Sequence, residues 1–402
     1  MKNTVRLGDV VKKIEEKEFK PLEAGYERFV KVQHMDPENL RIQRWGSIRD
    51  DLFPPTFYKV FRKGQILFPT RNPHLRRAVL ADFDGICGEK TLTLSPIENK
   101  IEPKLVIFIL QSDDFVQHCI NSIIGSTNPH VRWRDIANYE IDLPSEAVQK
   151  RIDRVLWSVE SNIEKLEYLI HITEKLKKAF LNELLTKGID NQNFKTTEIG
   201  DIPKKWKIFK LSKLFEIVGG GTPKTGQKEY WNGDIPWVTP KDIPHTDRYI
   251  MKTEKSITQA GLESSSTKIL EKNSIVISAR GTVGLVGQLT MPMAFNQSCY
   301  GLIASEKIDQ DYLYYLMIYK VEELGHYAYG GVFNTITSKT FGYVQTALPT
   351  IQEQKRIVII LNSVFEFNMK LRKSLIAITN LRKRLTNLML SGELSVTEGD
   401  IF

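Results

Sequence analysis

The sequence predicts a mixed α/β (α+β) chain built twice over: two globular units, each followed by one long helix. Three observations carry that prediction. Leu143-Pro144 and Gln149-Lys150-Arg151-Ile152 return 205 positions later as Leu348-Pro349 and Gln354-Lys355-Arg356-Ile357. The same shift pairs Leu156 with Leu361, Lys178 with Lys383, Asn182 with Asn387 and Leu185 with Leu390. A period of about half the chain lies far beyond solenoid periods and means two large similar units in tandem. Next, apolar residues recur at steps of three and four from Val148 to Leu184 and from Ile357 to Leu388, the seams of two coiled-coil helices. Last, the segments before the two seams share a layout much more than residue identities.

The boundaries that follow are 1–144 for the first globular unit, 145–188 for its long helix and 189–205 for a polar connector. The second unit takes 206–349, its long helix 350–394 and a short acidic tail 395–402. In the first unit Val5 to Val10 opens the chain, and Gly64 to Pro69 reads as a short buried strand. A basic loop follows, holding Arg71, Asn72, Arg76 and Arg77, with turn chemistry at Asn72-Pro73. Lys90 to Leu94 alternates as a half-buried strand does, Leu105–Leu110 and Phe115–Ile124 suit helices, and Tyr139–Leu143 is a last strand. Ser145 is the candidate N-cap of the first long helix, whereas Thr350 and Glu353 fit a capping box for the second. Gly188 and Gly392 stop the two helices. About 40 residues rising ~1.5 Å each make rods ~60 Å long. Two seams of matched length in one chain most economically pack on each other; core helices inside ordinary globular domains are the plainer alternative. The second unit mirrors the first. Phe209 to Leu214 echoes the opening, Asn273 to Gly281 echoes the strand with its Arg loop, and Gly330 to Ile336 stands where Gly125 to Arg132 stood.

A net charge of +8 and a pI near 9.1 favour an acidic partner, nucleic acid before membrane surface. The opening Met1-Lys2-Asn3-Thr4 is no signal peptide, and no run of about 18 apolar residues appears. Cys87, Cys119 and Cys299 are too few and too scattered for a disulfide framework or a zinc knuckle, so a reducing, cytoplasmic setting is expected. Catalytic signatures are weak. Gly219-Gly220-Gly221-Thr222-Pro223 lacks the Lys-Ser/Thr of a phosphate loop, and a turn needing positive φ accounts for it better. Asp84 with Glu102-Pro103-Lys104 resembles a nuclease cluster only faintly, since Pro103 would break the strand that carries it. The histidines have no metal-ligand spacing. No catalytic and no metal-binding residue is therefore assigned.

Base-reading chemistry is better represented. Arg reads guanine bidentately, Asn or Gln reads adenine, and Lys contacts phosphates. The candidate DNA-binding residues are Arg71, Asn72, Arg76, Arg77, His130, Arg132 and Arg134 in the first unit. In the second they are Lys241, Arg280, Asn296, Gln297, Asn334, Thr335 and Lys339. Each taken singly reads more simply as a solvated surface group. The second long helix carries a basic excess that suits a phosphate track or an acidic partner, and sequence leaves both open.

Several marks then occur in a telling order: Thr197-Glu198-Ile199-Gly200-Asp201-Ile202-Pro203 before Trp206, Gly220-Gly221-Thr222-Pro223, and Trp231-Asn232-Gly233-Asp234-Ile235-Pro236-Trp237. With the repeated Leu-Pro and Gln-Lys-Arg-Ile and with Leu184-Leu185-Thr186-Lys187-Gly188, they make the chain resemble the specificity subunit of type I restriction–modification systems. The first unit lacks Gly-Gly-Thr-Pro and the Trp-rich stretch. The resemblance implies two target-recognition domains, each binding one half of a split, asymmetric DNA site. It implies an antiparallel helix pair relating them by a pseudo-two-fold axis. It also implies that the subunit is non-catalytic and cofactor-free. Two methyltransferase subunits would bring S-adenosylmethionine, and restriction subunits would bring ATP and Mg²⁺. A coiled-coil protein scaffold without base recognition is the rival class.

Overall fold

A computed structural model describes residues 3–50, 53–329 and 335–395. The chain divides into two compact units, Met1–Glu167 with Ser374–Phe402, and Tyr168–Lys373. Each unit therefore owns part of both long helices, Glu146–Thr186 and Ile351–Ser391, 41 residues apiece.

The duplication is plain in the sheets. In the first unit an antiparallel sheet runs Val11–Ile14, Thr91–Pro96, Ile66–Pro69, Val79–Leu80 across its width. In the second, Phe215–Gly219, Cys299–Ala304, Ile275–Ser278 and Val286–Leu289 take the same order, with Tyr249–Ile250 added in parallel. A second sheet in each unit is built on a parallel pair, Arg28–Val30 with Gly85–Gly88 and Trp231–Val238 with Ala294–Phe295. The first strand of each unit then pairs antiparallel with the strand that precedes the long helix, Asn3–Arg6 with Glu140–Leu143 and Lys207–Lys210 with Gln345–Leu348.

One expectation changes here. Thr91–Leu94 does not alternate: all four residues are buried, because the strand is central and lies between Val11–Ile14 and Ile66–Pro69. The polar connector, for which the sequence predicts no element, carries a hairpin, Phe194–Thr197 with Gly200–Pro203.

The repeated Gln explains why the same motif opens both helices. Gln149 accepts from the Glu102 amide (2.9 Å) and donates to the Pro144 carbonyl (2.9 Å). Gln354 accepts from the Asp309 amide (2.7 Å) and donates to the carbonyls of Pro349 and Lys307 (both 3.1 Å). Both side chains are buried, so each amide fastens a helix start to its globular body where water cannot compete. Thr350 accepts from the Glu353 amide (3.3 Å), as expected of an N-cap. The capping box does not close, however. The Glu353 carboxylate instead accepts from the Ile189 amide (3.2 Å), the Asn191 side chain (2.9 Å) and the Trp206 indole (3.3 Å), holding the connector. Ser145 offers its carbonyl to the amides of Val148 and Gln149 (2.9 Å each). Gly188 and Gly392, with φ of +73° and +79°, end the helices in the left-handed conformation that favours glycine.

Within each unit the two helices pack on one another and on the globular body. In the first, Ile152 and Leu156 share a core with Met389 and with Leu105–Leu110, and Glu160 pairs with Arg382. In the second, Thr173 meets Asn368 (2.6 Å), Lys177 lies over Phe365 (4.3 Å), and Leu181, Leu184 and Leu185 share a core with Ile357, Val358 and Leu361. Rising numbers on one helix meet falling numbers on the other, so the pairing is antiparallel.

Candidate nucleic-acid interface

In the second unit four strand ends are drawn together by backbone hydrogen bonds. The Ala279 amide donates to Ser298 O (2.7 Å), Ile336 N to Ala279 O (3.0 Å), Asn296 N to Val238 O (2.9 Å) and Gly221 N to Phe295 O (3.0 Å). The loops bearing Thr222, Lys241, Arg280, Asn296, Gln297 and Thr335 thus form one cluster. Arg280, Lys241 and Lys339 are exposed, and the described residues give their side chains no partner. Arg280 stands on a braced loop, for Ser278 Oγ accepts from the Leu285 amide (2.8 Å) and donates to Thr282 O. Gln297 is hydrogen-bonded to Thr222, and Asn296 turns its carbonyl oxygen to the Ser298 amide (3.1 Å). Thr335 is half-buried beside them, and Asn334 lies outside the described residues.

The glycine run has a different cause from the expected turn: none of Gly219, Gly220 and Gly221 has positive φ. A Cβ on Gly220 would sit 2.1 Å from Asn296 O, and one on Gly221 2.3 Å from Thr267 N. The glycines let two backbones touch beneath the cluster.

The first unit repeats the frame. Thr70 N donates to Lys90 O (3.0 Å) and Val131 N to Thr70 O (2.9 Å), so the loops of 71–77, 89–90 and 130–134 meet as their counterparts do. Their side chains behave differently. Arg71 is exposed with no side-chain partner among the described residues, and Asn72 beside it is exposed at φ +52°. Arg76 is a correction: its guanidinium donates to Gln111 O and pairs with Asp113, at 12% side-chain exposure, so it holds the fold together. Arg77 is half-buried. The His130 ring is bonded to Asn128 O (2.8 Å). Arg132 grips Asp135 (2.8 Å) and holds that carboxyl below its usual range, whereas Arg134 is 72% exposed and 3.6 Å from the same carboxylate. Lys90 was missed by sequence reasoning. It is exposed in the turn that matches Asn296–Ser298. Insertions elsewhere in the unit put that match off the 205-residue shift, so only the hydrogen-bond pattern shows it.

Among the described residues no group of His, Cys, Asp or Glu could hold a metal ion, and no helix is long and apolar enough to cross a membrane. The three cysteines are buried, and burial pushes each thiol up to about 12.

The chain is therefore a duplicated one, its two halves carrying loops on a matching frame. The family model for the type I restriction modification DNA specificity domain matches it twice, over residues 2–178 and 203–380. The chain belongs to that family and is a specificity subunit of a type I restriction–modification system. Among similar proteins, the type I restriction enzyme MjaIX specificity subunit of Methanocaldococcus jannaschii is 36% identical over 42% of this chain and 40% of its own length. The putative MjaX specificity subunit of the same organism is 27% identical over 83% of this chain and 79% of its own. Two solved structures share the fold. One is the S subunit from M. genitalium (TM-score 0.60, 16% identity, 98% of this chain and 96% of that one). The other comes from work on complex assembly and conformational transition of a type I system (TM-score 0.59, 22% identity, 98% of both chains).

Proposed function

We propose that each loop cluster reads one half of a bipartite, asymmetric DNA site and that the subunit itself performs no chemistry. The observation that supports this best is the repeated pair of backbone bonds, Lys90–Thr70–Val131 and Ser298–Ala279–Ile336. These set Arg71 and Arg280 at matching places on two frames. A free, braced guanidinium suits bidentate contact with guanine, and Lys241, Lys339 and Lys90 suit phosphates.

The long helices would fix the spacing between half-sites and dock two methyltransferase subunits. The helices leave Tyr168 (64%), Ile359 (66%), Phe367 (51%) and Ile376 (64%) exposed, apolar side chains that protein partners would cover. S-adenosylmethionine would come with those partners, and ATP and Mg²⁺ with the restriction subunits. Exchanging residues 206–349 for those of another family member tests this in the assembled methyltransferase. One half of the methylated sequence should change and the other persist; change in both halves, or methylation indifferent to base order, sinks it.

A further inference from the structure

We infer that two buried polar pairs, Glu160–Arg382 in the first unit and Thr173–Asn368 in the second, are register pins that admit one alignment of the long helices. All four residues are nearly out of solvent, with Glu160 at 2%, Arg382 at 5%, Thr173 at 5% and Asn368 at 0% exposure. Each pair is satisfied in place. Arg382 bonds Glu160 and the Glu38 carbonyl. Asn368 donates to Thr173 Oγ1 (2.6 Å) and accepts from Arg372 Nε (3.0 Å), while Arg372 reaches Glu174 (2.9 Å).

The second helix shows why such pins are needed. Leu361, Asn368, Leu375, Arg382 and Met389 follow one another at heptad spacing and alternate apolar with polar. An apolar seam tolerates a slide of one heptad, about 10 Å, because leucine simply replaces leucine. The pins forbid it. After a slide Thr173 and Glu160 would face Leu361, Leu375 or Met389, and a buried carboxylate and amide would lose their partners. The pairs are not inherited from the duplication either. The positions 205 residues away hold Lys177 over Phe365 (4.3 Å) in one case and two apolar residues, Ile163 and Ile378, in the other. Each unit has thus acquired its own polar lock. If the helices set half-site spacing, which rests on the function proposed above, the pins are what make that spacing single-valued.

The test uses the full chain with Glu160→Leu, Arg382→Leu, Thr173→Val and Asn368→Leu combined, beside the milder T173V/N368L pair in case the fourfold variant misfolds. Spin labels on cysteines introduced at exposed Asn162 and Asn380 report the first unit, and at exposed Lys175 and Glu366 the second; the natural cysteines are buried. The wild type should give one distance per pair. The variants should add a second population at longer distance, because a slide of about 10 Å along the axis carries labels that start level past one another, with no fall in melting temperature, since apolar replacements trade specificity for stability. A single unchanged distance in the variants, or a lower melting temperature with register intact, overturns the proposal. Methylation of a library of half-site spacers by the assembled complex separates the layers. Mixed register with one accepted spacer keeps the pins and removes the ruler. A wild type indifferent to spacer removes the function proposed above while the label distances still judge the pins.

Discussion

The two units differ least where their backbones meet and most where side chains leave them. The sheet order, the opening strand pair and the Gln clamp recur almost bond for bond. Beyond that frame the first unit ties down several cations, Arg76 to Asp113, Arg132 to Asp135 and Lys383 to Glu38, while Arg71 stays exposed. Among the described residues the second gives the side chains of Lys241, Arg280 and Lys339 no partner. Beside the helix pair the contrast repeats. Arg382 and Lys383 close the first unit to a gap of 20 Å³, lined also by Glu38 and Thr386. At the matching place in the second, Lys177 turns over Phe365 and a cleft of 610 Å³ stays open between residues 244–251 and the helices. Frames held by backbone bonds can carry different surfaces at little cost, as the proposed reading of two unlike half-sites would require.

The comparison can be broken first at the frame. Gln354→Ala strips three hydrogen bonds from a fully buried amide and leaves backbone groups unpaired, so about 3 kcal/mol of unfolding free energy should be lost. Gln149→Ala should lose somewhat less, about 2 kcal/mol, with two bonds involved. Denaturant titration measures both, and a neutral outcome at either site would dismiss the clamp.

A second step sharpens the contrast between tied and free arginines. Arg280→Ala should weaken binding to the cognate site by about 2 kcal/mol and leave the melting temperature unchanged. Arg76→Ala should do the reverse, costing about 2 kcal/mol of stability while base preference persists in the folded fraction. Binding isotherms on cognate and random duplex, with melting curves, decide the matter.

The smallest effect concerns Asp153 on the first long helix. Burial, with the charge of Glu102, pushes its carboxyl up to about 6, and among the described residues its Oδ1 has no hydrogen-bond partner. A raised carboxyl favours folding while protonated, so that contribution is full below about pH 4 and disappears as pH rises through about 6. Asp153→Asn should therefore stabilise the chain by about 1 kcal/mol at pH 8, the effect being limited by partial exposure, and by almost nothing at pH 4. Equal shifts at both pH values would mean the carboxylate is not strained.

Most of the architecture was legible because it is periodic. Seams such as Ile357, Ile360, Val364 and Leu371 state a long helix unaided, and the repeated Gln-Lys-Arg-Ile states that there are two. The loop cluster was half legible. Arg280 and Arg71 follow apolar strands that end abruptly, which marks an exposed tip. Arg76 looked the same in sequence, but its partner Asp113 is distant along the chain and nothing local announces the pair. Glu353 misled for a related reason: three donors from the connector and Trp206 outcompete the local capping partner. Gly220 was misread because close backbone contact and a left-handed turn both select glycine. Lys90 could be found only through hydrogen bonds shared between units whose loops differ in length.

The most direct test is the methylated sequence produced by the assembled complex when it carries Arg71→Ala or Arg280→Ala. Each variant should relax a different half of the site and leave the other half and the spacing as in the wild type. Relaxation of the same half by both, or of neither, would contradict two reading surfaces on matching frames.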